Sequence, residues 1–264
     1  MENNKVKKHF YNKKPFKITV SVILLLALGF LCSFIPTLSL KTSNMNELKG
    51  EYITVYYETE EMAAKDVFEL ANAESERIAR ILGFDQPQNI TMYIYDQQST
   101  FQTKKYGLIA LLLNLDWYIG DNRGTNVMLT SPANPGKVHD YDNNKYASIH
   151  EMVHAYNSIL NKNMSLWVNE GLAGYLSNQT PEYNVYGARN FAPTINQMHT
   201  SNPVEFSNMS GYQFSYTYIE YLETAFGWDN VLRLAKTNDY INAFGKDENT
   251  VYNGWVEFLK ENYS

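Results

Sequence analysis

One cysteine in 264 residues, Cys32, lies inside an N-terminal apolar run, so the rest of the chain can hold neither a disulfide framework nor a thiolate metal site. A cysteine nucleophile is excluded with it. Fourteen glycines and eight prolines are too few for a collagen-like or low-complexity chain. Positive charge is also scarce beyond the N-terminus: residues 1–41 hold seven lysines and one glutamate, which leaves 15 basic and 27 acidic residues in the remainder. A body with a net charge of −12 carries no basic stripe for phosphates, which excludes nucleic acid as the main partner, and it has no electrostatic attraction to an anionic membrane. What is present, 44% hydrophobic and 14% aromatic residues, fits one globular domain with a substantial core.

The lysines concentrate at the start. Lys5, Lys7, Lys8, Lys13, Lys14 and Lys17 precede an apolar stretch from Ile18 to Leu40, of which Ile18–Ile35 is eighteen residues long. This exceeds the core of a usual signal peptide and approaches the roughly 20 residues that span a bilayer. Flanking lysines keep that end cytoplasmic and place the rest across the membrane. The expected organisation is a basic cytoplasmic tail (1–17), a signal anchor or signal peptide (18–40), a linker (41–50) and one domain (51–264). The protein is then a single-pass membrane protein with its domain outside the cytoplasm, or a secreted one if cleavage follows Ser39.

Along the body, EYITVYYE (51–58) is β-rich, NITMYIYD (89–96) alternates apolar and polar residues, and TNVMLT (125–130) is a third β-prone run. Between the first two, Val67, Leu70, Ile78, Ala79 and Leu82 recur at helical spacing before Gly83. Residues 108–119 are apolar enough to be core, with strand and helix equally compatible. From 144 onward the pattern is helical, over roughly 144–160, 166–178, 210–226, 229–238 and 247–262. Strands first and helices after predict an α+β fold of two lobes, a small mixed β-sheet lobe followed by a helical one.

His150, Glu151 and His154 form an HExxH motif in a segment whose apolar residues Tyr146, Ile149, Val153, Tyr156 and Leu160 recur every three or four positions. On such a helix, which Asp142, Asn143 or Asn144 could cap, the two histidines project from one side and can converge on one cation. A catalytic zinc needs three protein ligands and an open position, and the nearest third donor is Glu170 in LWVNEGLAGYL (166–176). Gly171 and Gly174 share a face with Glu170. Glycines inside a helix are costly unless another backbone comes close, and the HExxH helix is the expected neighbour.

HExxH followed by WVNEGLA (167–173) resembles the gluzincin zinc metallopeptidases, in particular the catalytic core of M1-type aminopeptidases and their smaller peptidase-MA-like relatives. The resemblance implies a zincin, thermolysin-like catalytic domain with one Zn2+ ion held by His150, His154 and Glu170. It implies Glu151 as general base and a peptide or protein as substrate. It extends to YQFSYTYIEYL (212–222), similar to the helix that opens with the family's catalytic tyrosine, and so implies Tyr212 as oxyanion stabiliser, with Tyr216 as the fallback. Fifteen residues separate His154 from Glu170, where the M1 pattern has eighteen, and TNVMLT carries no GxMEN-like motif where that family anchors the substrate amine. An aminopeptidase is therefore not implied, only peptide-bond hydrolysis. Should TNVMLT be the sheet edge beside the cleft, an extended peptide could pair with it. The competing expectation is a membrane-anchored, non-catalytic zinc-containing binding or sensor protein on the same scaffold. Asn169 is a candidate to orient a ligand, whereas His139 and His199 lack ligand spacing and Trp167 reads as core.

Overall fold

The computed structural model describes residues 13–113 and 115–264. Lys5, Lys7, Lys8 and His9 of the basic tail lie outside the described residues. The chain is a mixed α+β protein with one five-stranded sheet and mostly helices.

Strand β1 (Asn46–Lys49), β2 (Ile53–Tyr57), β3 (Ile90–Tyr95), β4 (Gly120–Arg123) and β5 (Asn126–Thr130) lie side by side in the order β1-β2-β3-β5-β4. The inner pairs β2–β3 and β3–β5 are parallel, and the outer pairs are antiparallel. Alternation in the sequence becomes alternation of burial: Ile53 and Val55 on β2, and Ile90, Met92 and Ile94 on β3, are buried in the core. Two expectations change here. TNVMLT is not the sheet edge, because β5 pairs on both sides; the edge is β4, whose GDNR sequence has no apolar alternation. The segment read as a linker contains β1, paired with β2 from Asn46↔Tyr57 to Lys49↔Thr54.

Helix α1 (Lys13–Cys32) is exposed from Lys17 to Cys32 and, among the described residues, is the one helix long and apolar enough to cross a membrane. Helix α2 (Glu61–Ile81) makes the crossover between β2 and β3, burying Ala64, Val67, Ala71 and Ile78. A short helix α3 (Gln98–Tyr106) leads into a 3₁₀ turn at Leu108–Leu112, neither strand nor α-helix, and its leucines are exposed rather than part of the core because the turn lies outside the sheet's packed face.

Helix α4 (Tyr141–Leu160) carries HExxH. It starts three residues earlier than expected because the cap is Asp140, whose side chain accepts from Asn143 N while the Asn143 side chain accepts from Asp140 N. An apolar stripe alone does not describe it. Tyr146 is exposed, whereas every residue from Ala147 to Asn157 is buried, because α4 lies between the sheet and the helical lobe. Helix α5 (Leu166–Leu176) is capped by the Ser165 hydroxyl, which accepts from Val168 N. Helices α6 (Gly211–Phe226), α7 (Trp228–Thr237) and α8 (Glu248–Asn262) complete the lobe, with short helical pieces at Val185–Arg189, Ile195–Met198, Pro203–Asn208 and Tyr240–Phe244. The lobe's centre is aromatic. Trp167 packs edge-on against Phe206 and Trp255 at 5.7 and 5.8 Å, so its assignment to the core holds.

Gly171 does permit close helix packing, but its neighbour is α6 rather than α4. A Cβ on Gly171 would lie 2.6 Å from the Ser215 carbonyl oxygen. Glycine here seats α5 on the helix that carries Tyr212, and Gly174 leaves room for the Tyr216 ring 3.8 Å away.

Candidate metal centre

Helical spacing places His150 and His154 one turn apart on α4, with their Nε2 atoms 3.0 Å from each other. From α5, Glu170 Oε2 comes within 3.2 Å of His150 Nε2 and 3.4 Å of His154 Nε2. The three ligand atoms lie within 4.8 Å of one another. Two imidazole nitrogens facing each other across a carboxylate cannot all be satisfied by protons, since at most one hydrogen fits between the rings. A cation satisfies all three. Two histidines and a glutamate with the remaining side open are the donor set of a catalytic zinc site, so these residues fit that ion.

Neighbouring groups set the imidazoles in ligating form. Gln179 Oε1 lies 2.9 Å from His150 Nδ1 and accepts its hydrogen, which leaves Nε2 with its lone pair. On the other ring, His154 Nδ1 is buried with no hydrogen bond, as is Asn157 Oδ1, while the Asn157 and Asn169 amides are joined at 2.9 Å. With both amides turned over, His154 Nδ1–H donates to Asn169 Oδ1 and Asn169 Nδ2 donates to Asn157 Oδ1, which pairs the buried imidazole nitrogen with Asn169. Asn169, next to Glu170 on α5, thereby serves the ring of the opposite helix.

Burial and charge then act against each other. Burial alone would lower the pKa of His154, but the charge of Glu170 and the hydrogen bond to it win and push it up to about 9. Burial raises Glu170, yet the His154 charge and the two imidazole nitrogens that face it hold it well below the usual carboxylate range. For His150 burial prevails and the pKa falls, against the hydrogen bond to Glu170. The metal-free site therefore holds a proton, on His154, where a cation would sit.

Glu151 is 7% exposed and packs under the edge strand, where a Cβ on Gly120 would lie 2.8 Å from its Oε1. Desolvation pushes its pKa up to about 8, with Asp121 and Glu170 adding to the rise and His154 opposing it. Tyr212 opens α6 and lines a cleft of about 170 Å³ together with His150, Glu170 and Gln179. Its pKa is raised, first by burial and then by the charges of Glu170 and Glu151. Tyr216, one turn on, packs against Tyr175 at 5.1 Å and is absent from that lining. His139 and His199 lie away from the site, the first on the Trp117 carbonyl and the second paired with Glu248.

Sequence reasoning missed the wall opposite the histidines. Asp121 on β4 takes a hydrogen bond from the Tyr118 hydroxyl and pairs with Lys105 Nζ at 2.7 Å. Burial raises its pKa against the pull of Lys105. Tyr106 stands next to that pair, and burial raises its pKa, with the charge of Asp121 adding to it. No local pattern marks these residues, since only the sheet's fold-back lays β4 on α4 and brings Lys105 of α3 to Asp121.

No family model and no curated protein matches the chain. Among solved structures, native yeast leukotriene A4 hydrolase aligns with a TM-score of 0.42 and 14% identity, over 83% of this chain and 36% of that one. A second structure of native leukotriene A4 hydrolase, from Saccharomyces cerevisiae, gives a TM-score of 0.40 and 17% identity over 82% and 36%. The chain thus spans little more than a third of their length. The likeness is remote, and the chemistry of the site stands on its own side chains.

Proposed function

We propose that this chain is a membrane-anchored, extracytoplasmic zinc peptidase of gluzincin type. The observation that carries the reading is the convergence of His150 Nε2, His154 Nε2 and Glu170 Oε2 within 4.8 Å, next to the buried Glu151 carboxyl and with Tyr212 on the cleft that His150 and Glu170 line. When bound, zinc supplies Lewis acidity to a carbonyl and lowers the pKa of water to about 7. Glu151 takes a proton from the attacking water and passes it to the nitrogen of the leaving amine, so the peptide C–N bond breaks as the acyl carbon gains oxygen. The Tyr212 phenol, kept protonated by its raised pKa, donates a hydrogen bond to the carbonyl oxygen as it gains charge. Gln179 and Asn169 hold the two imidazoles in place.

The anchor is read as uncleaved because the domain holds the backbone that precedes a cut after Ser39. Arg123 Nη1 donates to the Thr37 carbonyl at 2.7 Å, Leu108 N to the Ser33 carbonyl at 2.7 Å, and Lys104 Nζ to the Ser39 carbonyl at 2.8 Å. Cleavage after Ser39 would strip Arg123, Leu108 and Lys104 of these partners. Lysines before α1 orient the body to the outside.

The test is mass-spectrometric profiling of a diverse peptide mixture exposed to the zinc-loaded full chain in detergent, beside its Glu151→Gln variant. Cleavage by the unmodified chain alone is expected, and its cut positions separate end-trimming from internal cleavage. Equal products from both proteins would sink the assignment.

A further inference from the structure

The sequence from Gly107 to Leu115 contains no charged residue, although it belongs to a body with a net charge of −12. Within and just after it, Leu108, Leu111, Leu112, Leu113 and Trp117 are 48, 60, 85, 47 and 40% exposed. Only Ala110 is buried among the residues of its 3₁₀ turn. So many large apolar side chains turned outward from one short loop form a patch that a protein standing free in water would not keep.

This patch is joined to the end of α1. Leu108 N donates to the Ser33 carbonyl at 2.7 Å, and Gly107 lies so close that a Cβ there would be 2.5 Å from the same oxygen. Gly107 also has φ +77°, so glycine is required both for the turn and for the contact. Arg123 and Lys104 tie the following turn of the N-terminal segment to the same face. Thus the exposed leucines begin where the apolar helix ends.

We propose that the loop at 107–117 seats in the bilayer leaflet from which α1 emerges and holds the catalytic cleft against the membrane surface. Lipid is the occupant that the connection to α1 specifies. Leucines enter the acyl boundary, and Trp117 lies at the polar interface where tryptophan is favoured. The acidic body offers no electrostatic attraction to that surface, which leaves the apolar loop as the seat. The cleft follows by direct contacts: Lys105, two residues before Gly107, pairs with Asp121, which neighbours the Gly120 that packs on Glu151. The inference rests on reading α1 as an inserted, uncleaved anchor but not on the peptidase chemistry.

The experiment uses the full chain in lipid nanodiscs with an environment-sensitive nitrobenzoxadiazole label on one cysteine. The label is placed on Cys32 in the natural sequence, or on Leu112→Cys or Ile241→Cys in a Cys32→Ser background. Leu112 and Ile241 are both well exposed, so neither change disturbs the core. Lipids carrying a shallow nitroxide should reduce emission about twofold at positions 32 and 112 and leave position 241 unchanged. Quenching at 32 without quenching at 112 overturns the seat while keeping the anchor; no quenching at 32 overturns both. Independently, brominated lipids should quench the intrinsic tryptophan fluorescence of the natural chain more than that of Trp117→Phe. Equal quenching contradicts the proposal without use of a label.

Discussion

Replacing Glu151 with glutamine is expected to stabilise the metal-free protein, and to do so more strongly as pH rises. Burial lifts this carboxyl from its ordinary 4.5 to about 8. The native state therefore binds the proton more tightly than the unfolded chain. The associated stability is complete below pH 4.5 and is lost as pH climbs towards 8. Each pKa unit corresponds to about 1.4 kcal/mol, so the natural protein gives up about 5 kcal/mol by pH 8 and under about 1 kcal/mol at pH 5. Glutamine does not ionise and incurs no such loss. The other titrating groups are common to both proteins, so the difference between their unfolding curves reads this carboxyl together with its coupling to His154. In chelator, the melting temperature of Glu151→Gln should exceed that of the natural chain by roughly 10 °C at pH 8, with the gap nearly closed at pH 5. Scanning calorimetry or fluorimetry at the two pH values reads this directly. A gap independent of pH, or one that shrinks as pH rises, would refute the claim that Glu151 is a desolvated acid. Added zinc should narrow the gap at pH 8, because a cation beside the carboxylate favours its charged form.

Asn169→Ala should weaken zinc binding by about 10- to 100-fold in a competitive chelator titration, with circular dichroism unchanged, since it removes the partner of His154 Nδ1. Unaltered affinity would remove Asn169 from the site. Tyr212→Phe should lower turnover by about 10²–10³ with zinc content intact. Tyr216→Phe, which changes a ring packed on Tyr175, should leave turnover near normal, and the reverse pattern would exchange their roles. Gly171→Ala drives a Cβ towards the Ser215 carbonyl at 2.6 Å and should cost about 1–3 kcal/mol in denaturant unfolding. An unchanged midpoint would mean that α5 and α6 are not held at the spacing described.

Much of the site was legible because its chemistry sits on two helices close in sequence. The i, i+4 pair on α4 needs only helical geometry to converge, and Glu170 needs only one turn of chain to return. Strands β2 and β3 were legible for a similar reason, since one face of each is buried and the sequence alternates accordingly. The edges were not. NELK of β1 has no buried residue and GDNR of β4 only partly buried ones, so pairing alone makes them strands and no hydrophobic pattern announces it. The pairing of Gly171 with α6 was hidden in the same way: a glycine declares that something comes close without saying what. Asp121, Lys105 and Tyr106 meet only once β4 has folded back along β5 and come beside α3. The apolar run at 108–113 resisted assignment because its leucines face outward, so neither a strand nor a helix period was imposed on them.

The central claim is that this cluster holds one zinc ion on which hydrolysis depends. Zinc should be removed from the purified full chain with a chelator, the chelator dialysed away, and peptide cleavage followed as zinc is added back in measured amounts. The account predicts a folded, inactive protein whose activity rises linearly and breaks at one equivalent per chain, with His154→Ala showing neither the rise nor the break. Cleavage that persists without metal, or zinc taken up at one equivalent with no cleavage of any peptide in a diverse mixture, would contradict it.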